Sequence, residues 1–174
     1  MHSPNILSSN EAPHPAAVVV LHEKATDALI LTQRNIRLRT HPGQICFPGG
    51  HWQVGDTTLW KTALRELHEE LGVDATRVLC LKQLESEQTL GGSIIHPWLA
   101  SIQTLIPYSA NVHEVSAVLS LPMMDVMAPE NYKDVILDID GEMITSVQFI
   151  ACDYFVWGAT ARIMKQLCLS KIAL

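Results

Sequence analysis

The sequence predicts an α+β domain in which a mixed sheet packs against helices. Three observations lead there. Several β-branched or alternating runs have strand length, two substantial stretches carry helical periodicity, and the two kinds do not alternate as regular βαβ units. At 174 residues the chain suits a single core. Hydrophobic residues make up 48% and charged residues 17%, which is a globular composition.

Residues Met1 to Pro15 hold three prolines among small polar residues and predict an extended N-terminal arm, with the folded domain spanning 16–174. Ala16 to Leu21 is an apolar run suited to a buried strand. The polar stretch His22 to Asp27 separates it from a second strand over Ala28 to Arg34. Asn35 to Gly50 is expected to be irregular, and a long irregular segment inside a compact domain is usually functional. Thr57 to Leu71 predicts a helix: Trp60, Ala63, Leu64, Leu67 and Leu71 share one face, and Gly72 follows at the stop position. Further strands are expected near Val78–Leu84, Ser93–Ser101, Tyr132–Ile139 and Met143–Ile150, the last two joined by the hairpin signal Asp140-Gly141. A final helix is expected from Asp153 to about Ser170, with Val156, Thr160, Ile163 and Leu167 on one face.

Charge and composition narrow the function. Twelve basic and eighteen acidic residues give a net charge of −6, which argues against a nucleic-acid protein with a broad basic surface. An anionic small substrate stays compatible, because a metal ion can supply positive charge locally. The early apolar run is far shorter than a bilayer span, and the N-terminus lacks signal-peptide regions, so no membrane partner is expected. Cys46, Cys80, Cys152 and Cys168 stand far apart with no Cys-x-x-Cys pair, which predicts buried free thiols and a cytoplasmic setting. A homodimer is compatible with the sequence, although no dimer surface stands out.

The helix over 57–71 carries Arg65-Glu66-Leu67-His68-Glu69-Glu70-Leu71-Gly72-Val73. At about 100° per residue, Glu66, Glu69 and Glu70 fan over one narrow arc beside the apolar face. Such crowding raises carboxylate pKa values, and a hard divalent cation is the natural partner. Arg65 stands four residues before Glu69 and can pair with it. A solvated acidic face is the plain alternative.

Gly50 through Val73 resembles the Nudix box, the signature helix of the Nudix hydrolases, in its Arg65-Glu66-Leu67-x-Glu69-Glu70-x-Gly72-Val73 portion. The usual box has a Glu eight residues before the Arg, where this chain has Thr57. Asp56 lies one position earlier, and Gly50 is one position further from Arg65 than usual, so the loop carries one extra residue and Asp56 is given no role. The resemblance implies a Nudix-type α/β/α sandwich, Mg²⁺ or Mn²⁺ as cofactor, and Glu66, Glu69, Glu70 and Glu114 as metal ligands. It implies a catalytic set of these carboxylates with Arg65. For Glu114, a helix-terminal carboxylate is the structural alternative.

Upstream, Leu31-Thr32-x-Arg34, Arg39, Gly43 and Phe47-Pro48-Gly49-Gly50 resemble the additional motif of the coenzyme A pyrophosphatase branch of that family, with Asn35 where Ser or Ala is usual. Glu114 to Pro122 and Tyr154 to Ala161 also look like that branch, and about Ala16 to Leu169 can be laid on it. The resemblance implies cleavage of CoA or its thioesters to adenosine 3′,5′-bisphosphate and 4′-phosphopantetheine or its acyl form. It also implies substrate binding by Arg34, Arg39, Gly43, Phe47, Gly49 and Gly50. A planar guanidinium fork suits phosphate. Two readings compete: a Nudix pyrophosphatase acting on ADP-ribose, dinucleotides or nucleotide sugars, and a non-catalytic nucleotide-sensing module.

Overall fold

The computed structural model describes residues 15–139 and 141–170, so the expected arm over 1–15, apart from Pro15, and Asp140 of the expected hairpin turn lie outside the described residues. In chain order the strands begin with β1 (Ala16–Glu23), β2 (Ala28–Arg34), β3 (Ile45–Cys46) and β4 (Gly49–His51). Helix α1 (Leu59–Leu71) follows, then β5 (Val78–Gln83), β6 (Glu87–Gln88), β7 (Ile94–Ile102) and β8 (Val115–Pro122). The short α2 (Met123–Val126) leads to β9 (Tyr132–Ile139), β10 (Glu142–Phe149), β11 (Val156–Trp157) and α3 (Gly158–Ser170).

The main sheet runs β3-β2-β1-β7-β5, with β8 on β2, β4 on β1 and β6 on β7. It is mixed, because β1 and β7 are parallel while the other pairs are antiparallel. A smaller sheet runs β11-β10-β9. All eight residues of β1 are buried, the apolar run Ala16 to Leu21 together with His22 and Glu23 at its end, as befits a central strand. Its side chains alternate between two cores. Ala17, Val19 and Leu21 join Ala63, Leu67 and Leu71 of α1, whereas Val18 and Val20 join Ile163, Met164 and Leu167 of α3. The result is the α/β/α sandwich that the resemblance implied.

One irregularity of the sheet places the site. Pairing between β1 and β2 joins Leu21 to Ile30 through Glu23 to Ala28. Further along, β1 pairs through Ala16–Val18 with β4, and β2 pairs through Thr32–Gln33 with β3. The strands therefore diverge, and Phe47-Pro48 crosses the gap, held by the Val19 N–H donating to the Pro48 carbonyl at 2.8 Å. Phe47 anchors the crossing in the core at 2% exposure.

The structure corrects three expectations. The last helix starts at Gly158, not Asp153: Val156 pairs with Phe149 as strand β11, and Gly158 takes φ 65°, which breaks the extended run. The segment 35–50 is not wholly irregular, since it contains β3 and β4. The four cysteines are free, yet only Cys168 is buried; Cys46 and Cys152 are partly exposed, and Cys80 lies exposed on edge strand β5. No described helix is long and apolar enough to cross a membrane.

Candidate active site

Helix α1 starts and stops where its sequence says it should. Thr58 caps it by accepting from the Lys61 N–H, and Gly72 ends it in the left-handed conformation at φ 64°. Because Leu67 and Leu71 lock one side onto the sheet, the neighbouring arc carries Glu66 and Glu70 toward β4.

Arg65 organises this face. Its Nε donates to Asp56 Oδ1 at 3.1 Å, one terminal nitrogen donates to Asp56 Oδ2 and the His51 carbonyl at 3.0 Å each, and the other donates to Glu66 Oε1 at 2.8 Å and Glu69 Oε2 at 3.1 Å. A guanidinium has five N–H donors, and all are used. Arg65 is thus a positioning residue that spends its donors on protein groups and leaves none for a phosphate. The Arg65–Glu69 pairing expected from helical spacing is present.

Asp56 is the residue that sequence spacing left without a role. Besides Arg65, it accepts from Thr62 Oγ1 at 2.9 Å and the Gln53 N–H at 3.1 Å. Above all the Arg65 bonds hold its carboxyl down to about 2. The extra loop residue is absorbed by the turn over 53–56, which Trp52 closes by donating from Nε1 to the Asp56 carbonyl at 2.9 Å. The signal that could have found it is an acid just before the Thr58 cap, with an arginine two helical turns inside.

Glu70 lies at the centre. It is 3% exposed, the Gly49 N–H donates to its carboxyl, and Oε2 has no hydrogen-bond partner among the described residues. Burial, then the charge of Glu66, pushes its pKa up to about 8 against the pull of Arg34, with Glu114 adding to the rise. Burial also raises Glu66, opposed by Arg65 and reinforced by Glu69 and Glu114. Glu66 nearly fills the space over Gly50, where an added Cβ would lie 2.5 Å from Oε1 and 2.7 Å from Oε2. Gly49 is tight for a different reason, its Cβ position lying 2.6 Å from the Val18 Cα. Glu69 is turned outward to Arg65, its side chain 45% exposed.

Glu114 comes from the loop before β8. Asn111 Nδ2 donates to its Oε1 at 3.0 Å, and the Asn111 N–H donates to the Glu70 carbonyl at 2.8 Å, which ties this loop to the end of α1. Asn35 fastens the other side: its N–H donates to the Glu114 carbonyl at 2.8 Å and its Nδ2 to the Val112 carbonyl at 2.7 Å. Asn111 carried no signal in the sequence that singled it out.

The basic segment is the loop of the β2–β3 hairpin. Arg34 and Gln44 join its ends, and Gly43 at φ 71° donates to the Arg34 carbonyl. Arg34 donates from Nε to the Thr40 carbonyl at 3.3 Å and faces Glu70 and Cys46. Arg37 and Arg39 are exposed and make no side-chain hydrogen bond or ion pair among the described residues, so Arg39 is not brought to the carboxylates in this arrangement. Burial and the nearby Glu70 charge push the Cys46 thiol up to about 11, which keeps it a poor nucleophile at neutral pH.

Among the described residues, no three His, Cys, Asp or Glu side chains are gathered, as they stand, into a group that could hold a metal ion, so an ion would have to draw its ligands together. The set is open, yet its chemistry suits a hard divalent cation. All donors are carboxylate oxygens, Glu70 Oε2 is buried with no hydrogen-bond partner among the described residues, and the charges of Glu66 and Glu114 both bear on Glu70. Glu66, Glu70 and Glu114 could hold such an ion, with Glu69 at the margin.

Gly50→Ala forces the Glu66 carboxylate away. Turnover at saturating cation should fall by about tenfold to a hundredfold, with a small change in Tm. Unchanged turnover would show that the Glu66 position is immaterial.

Fold and carboxylate helix together define a hydrolase. The NUDIX domain model matches residues 12–133, and the chain belongs to the Nudix hydrolase family, as a pyrophosphohydrolase of it. Enzymes of this family generally need a divalent metal ion. The chain is 33% identical over 154 residues to an uncharacterized Nudix hydrolase, NudL, of Escherichia coli O7:K1, covering 88% of this chain and 80% of that one. Among solved structures, it resembles the NUDIX domain of Shewanella oneidensis NrtR complexed with ADP ribose, with TM-score 0.57, 19% identity and coverage of 93% and 90%. It also resembles a C. elegans Ap4A hydrolase binary complex, with TM-score 0.55, 21% identity and coverage of 64% and 83%. At these identities the solved structures show the fold alone.

Proposed function

We propose that this chain hydrolyses the pyrophosphate of coenzyme A or acyl-CoA, releasing adenosine 3′,5′-bisphosphate and 4′-phosphopantetheine or its acyl form. Domain 16–174 carries the activity, with Mg²⁺ or Mn²⁺ held by Glu66, Glu69, Glu70 and Glu114. The four free cysteines favour a reducing, cytoplasmic setting. The observation that supports the substrate is the hairpin: three arginines within six positions of an acidic chain, one facing Glu70 and two uncommitted.

The bound cation would neutralise the pyrophosphate and activate water for attack on phosphorus. The protein supplies the rest. Arg65 and Asp56 hold the helix face, Gly50 admits the Glu66 carboxylate, the Gly49 N–H donates to Glu70, and Phe47 anchors the crossing that presents them. Arg34 and Arg39 meet the substrate phosphates, while Gly43 closes the hairpin that carries Arg39.

The test is a panel of CoA, ADP-ribose and NADH with and without Mg²⁺, identifying products. CoA cleaved in preference supports the proposal, whereas preference for ADP-ribose or NADH shifts the protein to the broader Nudix reading. No turnover of any member favours a nucleotide sensor. Arg39→Ala sharpens the panel. Loss of a charge-assisted hydrogen bond worth about 1.5 to 3 kcal/mol predicts a roughly 10- to 150-fold drop in kcat/KM for CoA. Dephospho-CoA, which lacks the 3′-phosphate, should be spared if Arg39 reads that phosphate. Equal losses on both put Arg39 at the pyrophosphate, and no loss removes it from recognition.

A further inference from the structure

A groove of about 340 Å³ opens on the other side of the hairpin base. Gln33, Gln44 and Gly43 form one wall, and Asp153, Tyr154, Phe155 and Trp157 form the other. The Phe155 and Trp157 rings lie 6.0 Å apart, and Tyr154 and Phe155 are 42% and 48% exposed. The wall is rigidly hung. Trp157 and Val156 pair with β10, and Thr160 Oγ1 in the first turn of α3 donates to the Ile45 carbonyl of β3 at 3.1 Å. Gln33 lines this groove while its neighbour Arg34 faces Glu70, so the groove starts one residue from the charged side of the site.

We infer that this groove binds the neutral, amide-bearing pantetheine arm of a CoA-type substrate, an inference that rests on the function proposed above. Its volume lies within the range of small-molecule sites. Aromatic rings supply apolar contact for the methyl-bearing chain, and the Gln44 amide supplies a donor and an acceptor suited to amide groups, the Gln33 amide being bonded already to the Gly43 carbonyl and the Ser116 hydroxyl. Charge decides the orientation. Asp153 is the charged residue of the lining, which disfavours the 3′-phosphorylated nucleoside, whereas the unpaired Arg37 and Arg39 favour it on the hairpin tip. The substrate therefore straddles the hairpin base: phosphates on the arginine and carboxylate side, pantetheine among the rings.

Calorimetry with each product in the presence of Mg²⁺ tests this on the whole chain. In Tyr154→Ala/Phe155→Ala, the Kd for 4′-phosphopantetheine should rise about tenfold or more while that for adenosine 3′,5′-bisphosphate stays put. Gln44→Leu keeps the rings, removes an amide, and should shift the same ligand in the same direction if the double variant does not fold. Unchanged 4′-phosphopantetheine affinity in folded variants, or its failure to bind the wild type, overturns the inference. So does a selective loss of adenosine 3′,5′-bisphosphate, which would put the nucleoside in the groove. Wild-type CoA turnover is read separately: no CoA cleavage sinks the proposed function, whereas CoA cleavage with unaltered groove variants sinks the groove alone.

Discussion

Glu70→Gln should abolish turnover while leaving the fold intact. The change keeps the volume of a buried side chain and removes the carboxylate charge that a bound cation would draw out against burial and Glu66. Losing such an electrostatic element typically costs on the order of a hundredfold or more in kcat. The same variant makes a second, opposite-looking result. In the metal-free wild type the Glu70 pKa stands near 8, above its unfolded value of 4.5. Stability from the protonated form is therefore fully present below about pH 4.5 and is lost as the pH rises through about 8. Metal-free wild type should thus show a Tm that declines between pH 5 and pH 8.5, and added Mg²⁺ should restore Tm most at the alkaline end. Glu70→Gln should flatten the decline and lose the Mg²⁺ effect. Near wild-type turnover with Mg²⁺ would remove this helix as the metal site.

Arg65→Ala should damage stability and activity together. It removes all five guanidinium bonds and leaves Asp56, whose side chain is only 8% exposed, without a counter-charge and with its bonds from Thr62 and Gln53 alone. Leaving a largely buried carboxylate unpaired should cost about 2 to 4 kcal/mol. For a chain of this length that lowers Tm by about 4 to 16 °C. Turnover should also drop by roughly a hundredfold, because Glu66 and Glu69 lose the donor that orients them. Asp56→Asn separates the roles: it weakens the anchor but leaves Glu66 and Glu69 their partner, so Tm should fall with a smaller loss of turnover. If Arg65→Ala retained wild-type Tm and kcat, the guanidinium would be an ornament of the surface.

The parts legible in the sequence were those with a local period. The unbroken apolar run of β1 and the i, i+3, i+4 face of α1 declare themselves without neighbours, and Gly72 marks its stop. The β3 and β4 strands do not, because two residues are too few to show a period and Gly49-Gly50-His51 carries no strand pattern. Their strand character comes from pairing with distant Thr32 and Ala17. At the far end, Val156 and Trp157 continue the apolar rhythm of α3, so the sequence places the helix too early. In the site, the carboxylate fan was readable from helical angle alone. The partner of Arg65 was not, since Asp56 sits before the helix, where the 100° rule has no force. Asn111 was invisible for the same reason: its value lies in where two loops meet.

That meeting point bears on how such an enzyme can change its diet. Asn35 begins the basic hairpin and also holds the backbone of the segment ending in Glu114 through two hydrogen bonds. The basic hairpin and the late carboxylate therefore share one mooring. A loop transplanted from a relative with another substrate would bring new recognition groups, but without an amide side chain at this position it would lose the bond to the Val112 carbonyl and keep only the backbone bond to Glu114. Redesign of preference in this chain has to graft from Ile36 onward and leave Asn35 in place.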